Sequence, residues 1–347
     1  MDYDVVIATR NRTEALKLSI PLILTQERPP KKLIIVDASD DHQLICKTVK
    51  EAVGACPVEL AILNSQPNSA GQRNIGLKYV ESPIVMFPDD DSLWFPGHAE
   101  AIMRVYERDT EKHIGGVCAA DTKQLPPEIG LVGCNIYKMR ISHLLDAQIK
   151  RTRAKLREAR FRPNPFKIHG RSRWNVRPVP KWLPHENSVL VEYMGGYKMT
   201  FRTEVIRKVG FDEDLGVYVP WAANEDIDAC FGVMQHRLLV GARNAKVCHY
   251  KFPSRRTTKF ESTFIVQFNA AYTLCKYCTE GSKARRVFNR RSIGKVLKYI
   301  PRCCIASGRE QLRGHLLAVK FMRELWNAPP DCLRQRYLEL CQTAFRS

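Results

Sequence analysis

Three carboxylates in a row close an apolar run: Ile84-Val85-Met86-Phe87-Pro88 leads straight into Asp89-Asp90-Asp91. Adjacent carboxylates repel one another, and a folded chain tolerates them at a strand end when something positive neutralises them, most simply a divalent cation. The apolar run reads as a strand buried on both faces, and in open α/β sheets the strand C-termini are where ligands bind. A solvated acidic turn is the other reading of the same residues. A second metal-type group, Cys275-Lys276-Tyr277-Cys278, has no companion pair of the same spacing, because Cys303 and Cys304 are adjacent. It reads as helix cysteines rather than a zinc site.

The elements that must position the acidic run repeat one pattern. Residues 4–9 form a buried-type strand, and Arg10-Asn11-Arg12 is the turn after it. Asn11 and Glu14 read as a capping pair for a helix with Leu16, Ile20 and Leu24 on one face and Pro21 inside it. Pro29-Pro30 breaks the chain before a strand over 32–36, which ends in Asp37-Ala38-Ser39-Asp40-Asp41. A helix over 44–53, a strand over 58–63 and a polar loop over 64–69 follow. Pro96 opens the helix after the acidic run. Strand, polar turn and helix in successive rounds predict an α/β fold, a mostly parallel sheet with helices on both faces. Thr9, Arg10, Asp37 and Asp89 to Asp91 then converge on one sheet edge, as a nucleotide site requires. Neither Gly-x-Gly-x-x-Gly nor the P-loop pattern occurs, so dinucleotide and P-loop readings lose their main support.

Val6-Ile7-Ala8-Thr9-Arg10-Asn11, Ile34-Ile35-Val36-Asp37, Gly71-Gln72-Arg73-Asn74-Ile75-Gly76 and Phe87-Pro88-Asp89-Asp90-Asp91, in this order, resemble the nucleotide-binding half of the family 2 glycosyltransferases of GT-A fold. The resemblance extends to about Tyr250. Gly195-Gly196-Tyr197-Lys198-Met199-Thr200-Phe201-Arg202 and Val209-Gly210-Phe211-Asp212-Glu213 are similar to the segment that precedes the acceptor site. Asn224-Glu225-Asp226-Ile227-Asp228 resembles the family's Glu-Asp-x-Asp signature, opening a helix with Ile227, Cys230, Phe231 and Met234 inward. His249 stands 23 positions after Asp226, where many members place a histidine that completes the metal site. One departure is clear. The family's Asp-Asp-Gly-Ser after the second strand is here Asp37-Ala38-Ser39-Asp40, without the second carboxylate that supports a uracil contact.

The resemblance implies an inverting transfer of a sugar from a nucleotide-diphosphate donor, a UDP-sugar foremost, to a hydroxyl of a glycan or lipid-linked acceptor. It implies manganese or magnesium held by Asp91, with Asp89 acting through ribose or water and His249 completing the set. Thr9, Arg10, Asp37, Arg73 and Asp90 fall to the nucleotide. Asp226 is the general base, Glu225 orients the helix start or the acceptor, and Gly195, Gly196 and Trp221 lie on the acceptor side. The residues alone allow plainer roles: Glu225 and Asp226 complementing a helix N-terminus, Trp221 anchoring the core, His249 as a satisfied structural histidine.

Composition bounds the rest. The chain has 347 residues, 44% of them hydrophobic, and a formal net charge of +19. From Lys138 to Arg177 it carries 13 basic and 2 acidic residues, and from Gly281 to Ser347 it carries 15 and 4, so both segments are strongly basic on a near-neutral body. The expected organisation is a GT-A catalytic domain over 1–255, with a nucleotide-binding half over about 1–120 and an acceptor half over about 121–255. A basic insertion over about 138–184 and a basic helical C-terminal region over 256–347 complete it. Basic segments seek polyanions: an anionic acceptor, an anionic membrane face or nucleic acid. In the C-terminal region Ile293, Val296, Leu297 and Ile300 line one helix face among lysines and arginines, which suits an interfacial helix or ordinary docking onto the catalytic domain. A nucleic-acid-binding protein is a rival reading, disfavoured because the basic stretches match no recognition fold. A membrane-recruited scaffold with a vestigial site is another. Met1-Asp2-Tyr3-Asp4 lacks the basic and apolar regions of a secretory signal, and the expected location is cytoplasmic, with peripheral contact at the inner face of a membrane as its variant.

Overall fold

The computed structural model describes residues 1–129, 177–219, 221–252, 257–278 and 282–346. Of the basic insertion expected over about 138–184, residues 138–176 lie outside the described residues.

Apolar side chains fill β1 (Tyr3–Thr9), β2 (Lys32–Asp37) and β4 (Ile84–Phe87), and nearly every one is buried. Strands of this kind need cover on both faces, and successive side chains serve opposite faces. Val5, Ile7, Leu33, Ile35, Ile84 and Met86 pack with α1 (Thr13–Leu24), α2 (His42–Val53) and α4 (His98–Arg108). Val6, Ile34, Val36, Val85 and Phe87 belong to a second core shared with α3 (Ser69–Lys78), α5 (Thr203–Val209) and α6 (Glu225–Met234). Gly76 lets α3 lie on β1: a Cβ there would stand 2.3 Å from Val6 Cγ1, too close for any other residue.

The sheet is completed by β3 (Glu59–Asn64), β5 (Ser92–Trp94), β6 (Ile114–Thr122), β7 (Ser188–Leu190), β8 (Met199–Arg202) and β9 (Leu238–His249). Its order is β3-β2-β1-β4-β8-β6-β9-β5, with β7 also paired to β9. β3, β2, β1, β4, β6 and β9 run one way, while β8, β5 and β7 run against them. The sheet is therefore mostly parallel, as the sequence pattern predicts. β8 enters between β4 and β6 and brings the chain that follows Gly195 beside the acidic run.

Two local expectations are corrected. Asn11 does not cap α1. The helix starts at Thr13 without a side-chain cap, and Asn11, at a φ of 54°, bonds through its side chain to Asp40 across the neighbouring loop. Pro96 does not open α4 either; the helix starts at His98 after Gly97, whose φ of 72° only glycine adopts freely. Pro21 sits inside α1 without ending it.

Four helices close the chain: α7 (Lys259–Tyr277), α8 (Lys283–Tyr299), α9 (Ala306–Trp326) and α10 (Leu333–Arg346). A capping box of Thr258 and Glu261 starts α7. Its Phe264, Phe268 and Tyr272 pack on Phe321 of α9 and Tyr337 of α10, in the same core as the second face of the sheet. No described helix is long and apolar enough to cross a membrane.

Candidate active site

The pairing of β5 with β9 sets the geometry. Ser92 is in register with His249, so the histidine lies next to Asp91 although 158 positions separate them in sequence. Asp89, Asp91 and His249 each offer a ligand atom, and these atoms lie within 4.8 Å of one another, the one such group among the described residues. His249 Nε2 is 3.1 Å from Asp91 Oδ1 and 4.0 Å from Asp89 Oδ2. Asp91 Oδ1 is buried and accepts no hydrogen bond of good geometry. With His249 Nε2 beside it, this buried oxygen is placed to share a cation with the imidazole. Two carboxylates and one imidazole suit manganese or magnesium, so the residues present fit the group. Asp89 and His249 are partly exposed, which leaves the outer side of the cluster open.

Arg12 builds the cluster from below, and the sequence reading missed it. Its Nη1 donates to Asp90 Oδ1 at 2.8 Å and to Asp91 Oδ2 at 2.7 Å, and its Nη2 donates to the Phe252 carbonyl. The Phe252 N–H also donates to Asp91 Oδ2. Burial alone would raise the Asp91 carboxyl, but His249 and Arg12 beside it hold it well below the usual carboxylate range. Asp90 goes the other way: burial outweighs Arg12 and pushes it up to about 6. Asp90 is directed inward, accepting from Thr9 Oγ1 at 2.9 Å, so Thr9 and Asp90 brace the strand ends and stand apart from the ligating group. The Tyr197 ring stacks on His249 with centroids 4.2 Å apart, and its hydroxyl donates to Asp121.

Arg73 joins this cluster to the acidic helix start. One terminal nitrogen donates to Asp89 Oδ1 at 2.9 Å, the other to Glu225 Oε1 at 2.6 Å, and the residue is only 3% exposed. Burial disfavours its charge, but Glu225, Asp89 and Asp226 outweigh that and raise its pKa. The neighbours of Arg73 on α3 anchor the helix: Gln72 donates to the Thr9 and Val36 carbonyls at the ends of β1 and β2, and Asn74 bonds to the backbone of Phe211. Three consecutive residues thus tie three segments together.

Asp226 sits on the other side of Gly196. Its Oδ2 accepts from the Gly196 N–H at 2.9 Å, and its Oδ1 from its neighbour Ile227. Burial raises its carboxyl, and the two backbone donors only partly offset this. Glu225 is likewise raised by burial, against Arg73. A Cβ at position 196 would lie 3.3 Å from Arg73 Nη2, so Gly196 allows the guanidinium and the Asp226 carboxylate to approach the same turn. Ala222 and Asn224 hold φ of 38° and 74° just before α6. Left-handed backbone at a non-glycine residue costs roughly 1–2 kcal/mol, and here it turns the helix start toward Arg73.

The remaining expected residues lie at the margin. Asp37 is buried at the end of β2 with both oxygens engaged, by the Ser39 N–H and by His42 Nδ1. Arg10 is exposed and pairs with Asp40 at 3.8 Å. Trp221 packs half-buried against the core with its Nε1 buried, and Gly195 begins the tight turn that carries Gly196 and Tyr197.

A mostly parallel sheet that ends in a cluster of carboxylates and a histidine, with a carboxylate-opened helix one guanidinium away, is the architecture of the GT-A fold. Residues 4–128 match the profile of the family described as Glycosyl transferase family 2. A curated relative, the "Uncharacterized glycosyltransferase YwdF" of Bacillus subtilis, is 31% identical over 109 residues, which cover 31% of this chain and 39% of that protein. The chain thus matches about two fifths of the length of that relative. Among solved structures, TarS 1-349 of S. aureus in complex with UDP-GlcNAc aligns over 100% of this chain and 91% of its own, at a TM-score of 0.52 and 13% identity. The mannosyltransferase PcManGT of Pyrobaculum calidifontis, in complex with GDP-Man and Mn2+, aligns over 98% and 86%, also at 0.52 and 13%. At that identity the likeness speaks for the fold.

Proposed function

We propose that the chain transfers a sugar from a nucleotide-diphosphate donor, a UDP-sugar foremost, to a hydroxyl of a glycan or lipid-linked acceptor, with inversion at the anomeric carbon. The observation that carries this reading is Arg73, a single buried guanidinium that touches both Asp89 of the cation cluster and Glu225 beside Asp226. A donor held at one end and a base at the other would then share one cleft.

Asp89, Asp91 and His249 would hold manganese or magnesium, and the imidazole favours manganese. When bound, the cation neutralises the charge that develops on the departing diphosphate. Asp226 takes the proton of the acceptor hydroxyl, and that oxygen attacks the anomeric carbon from the face opposite the diphosphate. Its raised pKa makes it the stronger base, and the Gly196 N–H fixes which oxygen faces the acceptor. Glu225 holds the helix start through Arg73 rather than exchanging protons.

Two substitutions separate the roles. Asp91→Asn should abolish the cation-dependent thermal stabilisation by nucleotide diphosphates, a gain of about 2.7 kcal/mol at a ligand concentration of 100 Kd. Asp226→Asn should keep that stabilisation and lower turnover by about 10²–10⁴. Wild-type turnover in Asp226→Asn removes it as the base, and stabilisation of Asp91→Asn equal to wild type removes the cation site.

A further inference from the structure

The joint between α8 and α9 is built to face outward with both apolar and basic side chains. α8 is seated by Ala284, Phe288 and Ser292, with Phe288 against Trp326 of α9. Its stripe of Ile293 and Leu297, continued by Ile300 in the next turn, points away from that seat and is 39%, 61% and 49% exposed. Ile305, just past the turn, is 55% exposed. The joint itself is tight: a Cβ at Gly308 would meet the Arg302 carbonyl at 1.9 Å, so α9 begins hard against the turn. The core that joins the C-terminal region to the sheet takes Ala284 and Phe288 from α8 beside residues of α7, α9 and α10, and the stripe takes no part in it.

Charge singles out the same corner. Between Lys283 and Arg323 there are 12 basic residues and one acidic residue, Glu310. Lys276, Arg334 and Arg336 of the C-terminal helices form ion pairs, and these lie elsewhere. Arg286, Arg290, Lys298 and Arg302 are exposed around the stripe. A nucleic acid or an acidic peptide would reward the charge and leave four bulky aliphatic side chains in water. An anionic bilayer rewards both, apolar side chains below the headgroups and cations among them.

We propose that the α8–α9 corner is a docking surface for an anionic lipid bilayer, entered by Ile293, Leu297, Ile300 and Ile305. The full chain should co-sediment with phosphatidylcholine vesicles containing phosphatidylglycerol, and only weakly with phosphatidylcholine alone. Lys298→Gln with Arg302→Gln should lower the partition coefficient on the order of 30-fold, from about 1 kcal/mol per cation. Leu297→Glu with Ile300→Glu should lower it at least as far, with the thermal unfolding midpoint unchanged because both sites are exposed. An environment-sensitive fluorophore on Cys303, in a chain whose exposed Cys304 and Cys332 are replaced by Ser, should shift to the blue on anionic vesicles, while one on Cys332, with Cys303 and Cys304 replaced by Ser, should not. Sedimentation that survives Leu297→Glu with Ile300→Glu, or a fluorophore on Cys303 that stays in water, would overturn the bilayer. Loss on charge removal alone, with equal binding to a duplex oligonucleotide, would assign the corner to a polyanion instead.

Discussion

The sheet edge and the C-terminal helices handle charge in opposite ways. At the edge, Arg12 and Arg73 are buried, and each contacts two carboxylates: Asp90 and Asp91 for one, Asp89 and Glu225 for the other. In α8 and the turn after it Arg286, Arg290, Lys298 and Arg302 are exposed and face solvent. Charge taken out of water must be countered, and the counter-charges then fix geometry to a fraction of an ångström. Charge left in water fixes no geometry and only sets a field. The first region is built as a site, the second as a surface.

The comparison breaks most visibly at Arg73. Replacing it by Met leaves Asp89 and Glu225 facing each other across an apolar side chain, and the loss should be about 3–5 kcal/mol, as for other broken buried pairs. Equilibrium unfolding in urea measures it, and a loss below 1 kcal/mol would show the guanidinium to be ornamental. His98 is a complementary case, a titratable group inside without a counter-charge. It stacks on Trp94 and donates Nδ1–H to the Lys246 carbonyl, and burial lowers its pKa to about 4. Its folded value is below the unfolded one, so its stabilising effect is full above about pH 6.5 and is lost as pH falls toward 4, about 3 kcal/mol in all. His98→Gln should flatten that part of the stability profile, and an unchanged slope between those pH values would place the acid sensitivity elsewhere.

Much of this was legible in the sequence. Buried strands announce themselves by unbroken apolar runs, and the places where they end in Asp37 and Asp89 to Asp91 follow directly. The cluster of Asp89, Asp91 and His249 needed more, because His249 meets Asp91 only through the register of β5 on β9, a long-range pairing that local pattern does not encode. Asn11 was misread, and Arg12 missed, for a related reason. A turn of Arg-Asn-Arg reads locally as the start of a helix, whereas the tertiary structure uses Asn11 to tie two loops and Arg12 to carry two aspartates. Arg73 is assigned to the nucleotide by the resemblance; that its long side chain also spans from α3 to α6 is something no spacing rule reveals. The amphipathic stripe of α8 was visible as a pattern, but whether it faced the core or solvent depended on where Phe288 seats the helix.

The smallest expected effect tests the surface half of the comparison. Lys298 and Arg290 are exposed, and no ion pair among the described residues holds them, so Lys298→Glu and Arg290→Glu should each move stability by no more than about 0.5 kcal/mol. Turnover on a water-soluble acceptor should also stay at the wild-type value, because the joint of α8 and α9 contributes no side chain to the cation cluster or to Asp226. Urea unfolding and initial rates measure the two. A loss of several kcal/mol would mean that these cations counter a carboxylate after all, and the second region would then have to be understood, like the first, as charge arranged to hold a fixed geometry.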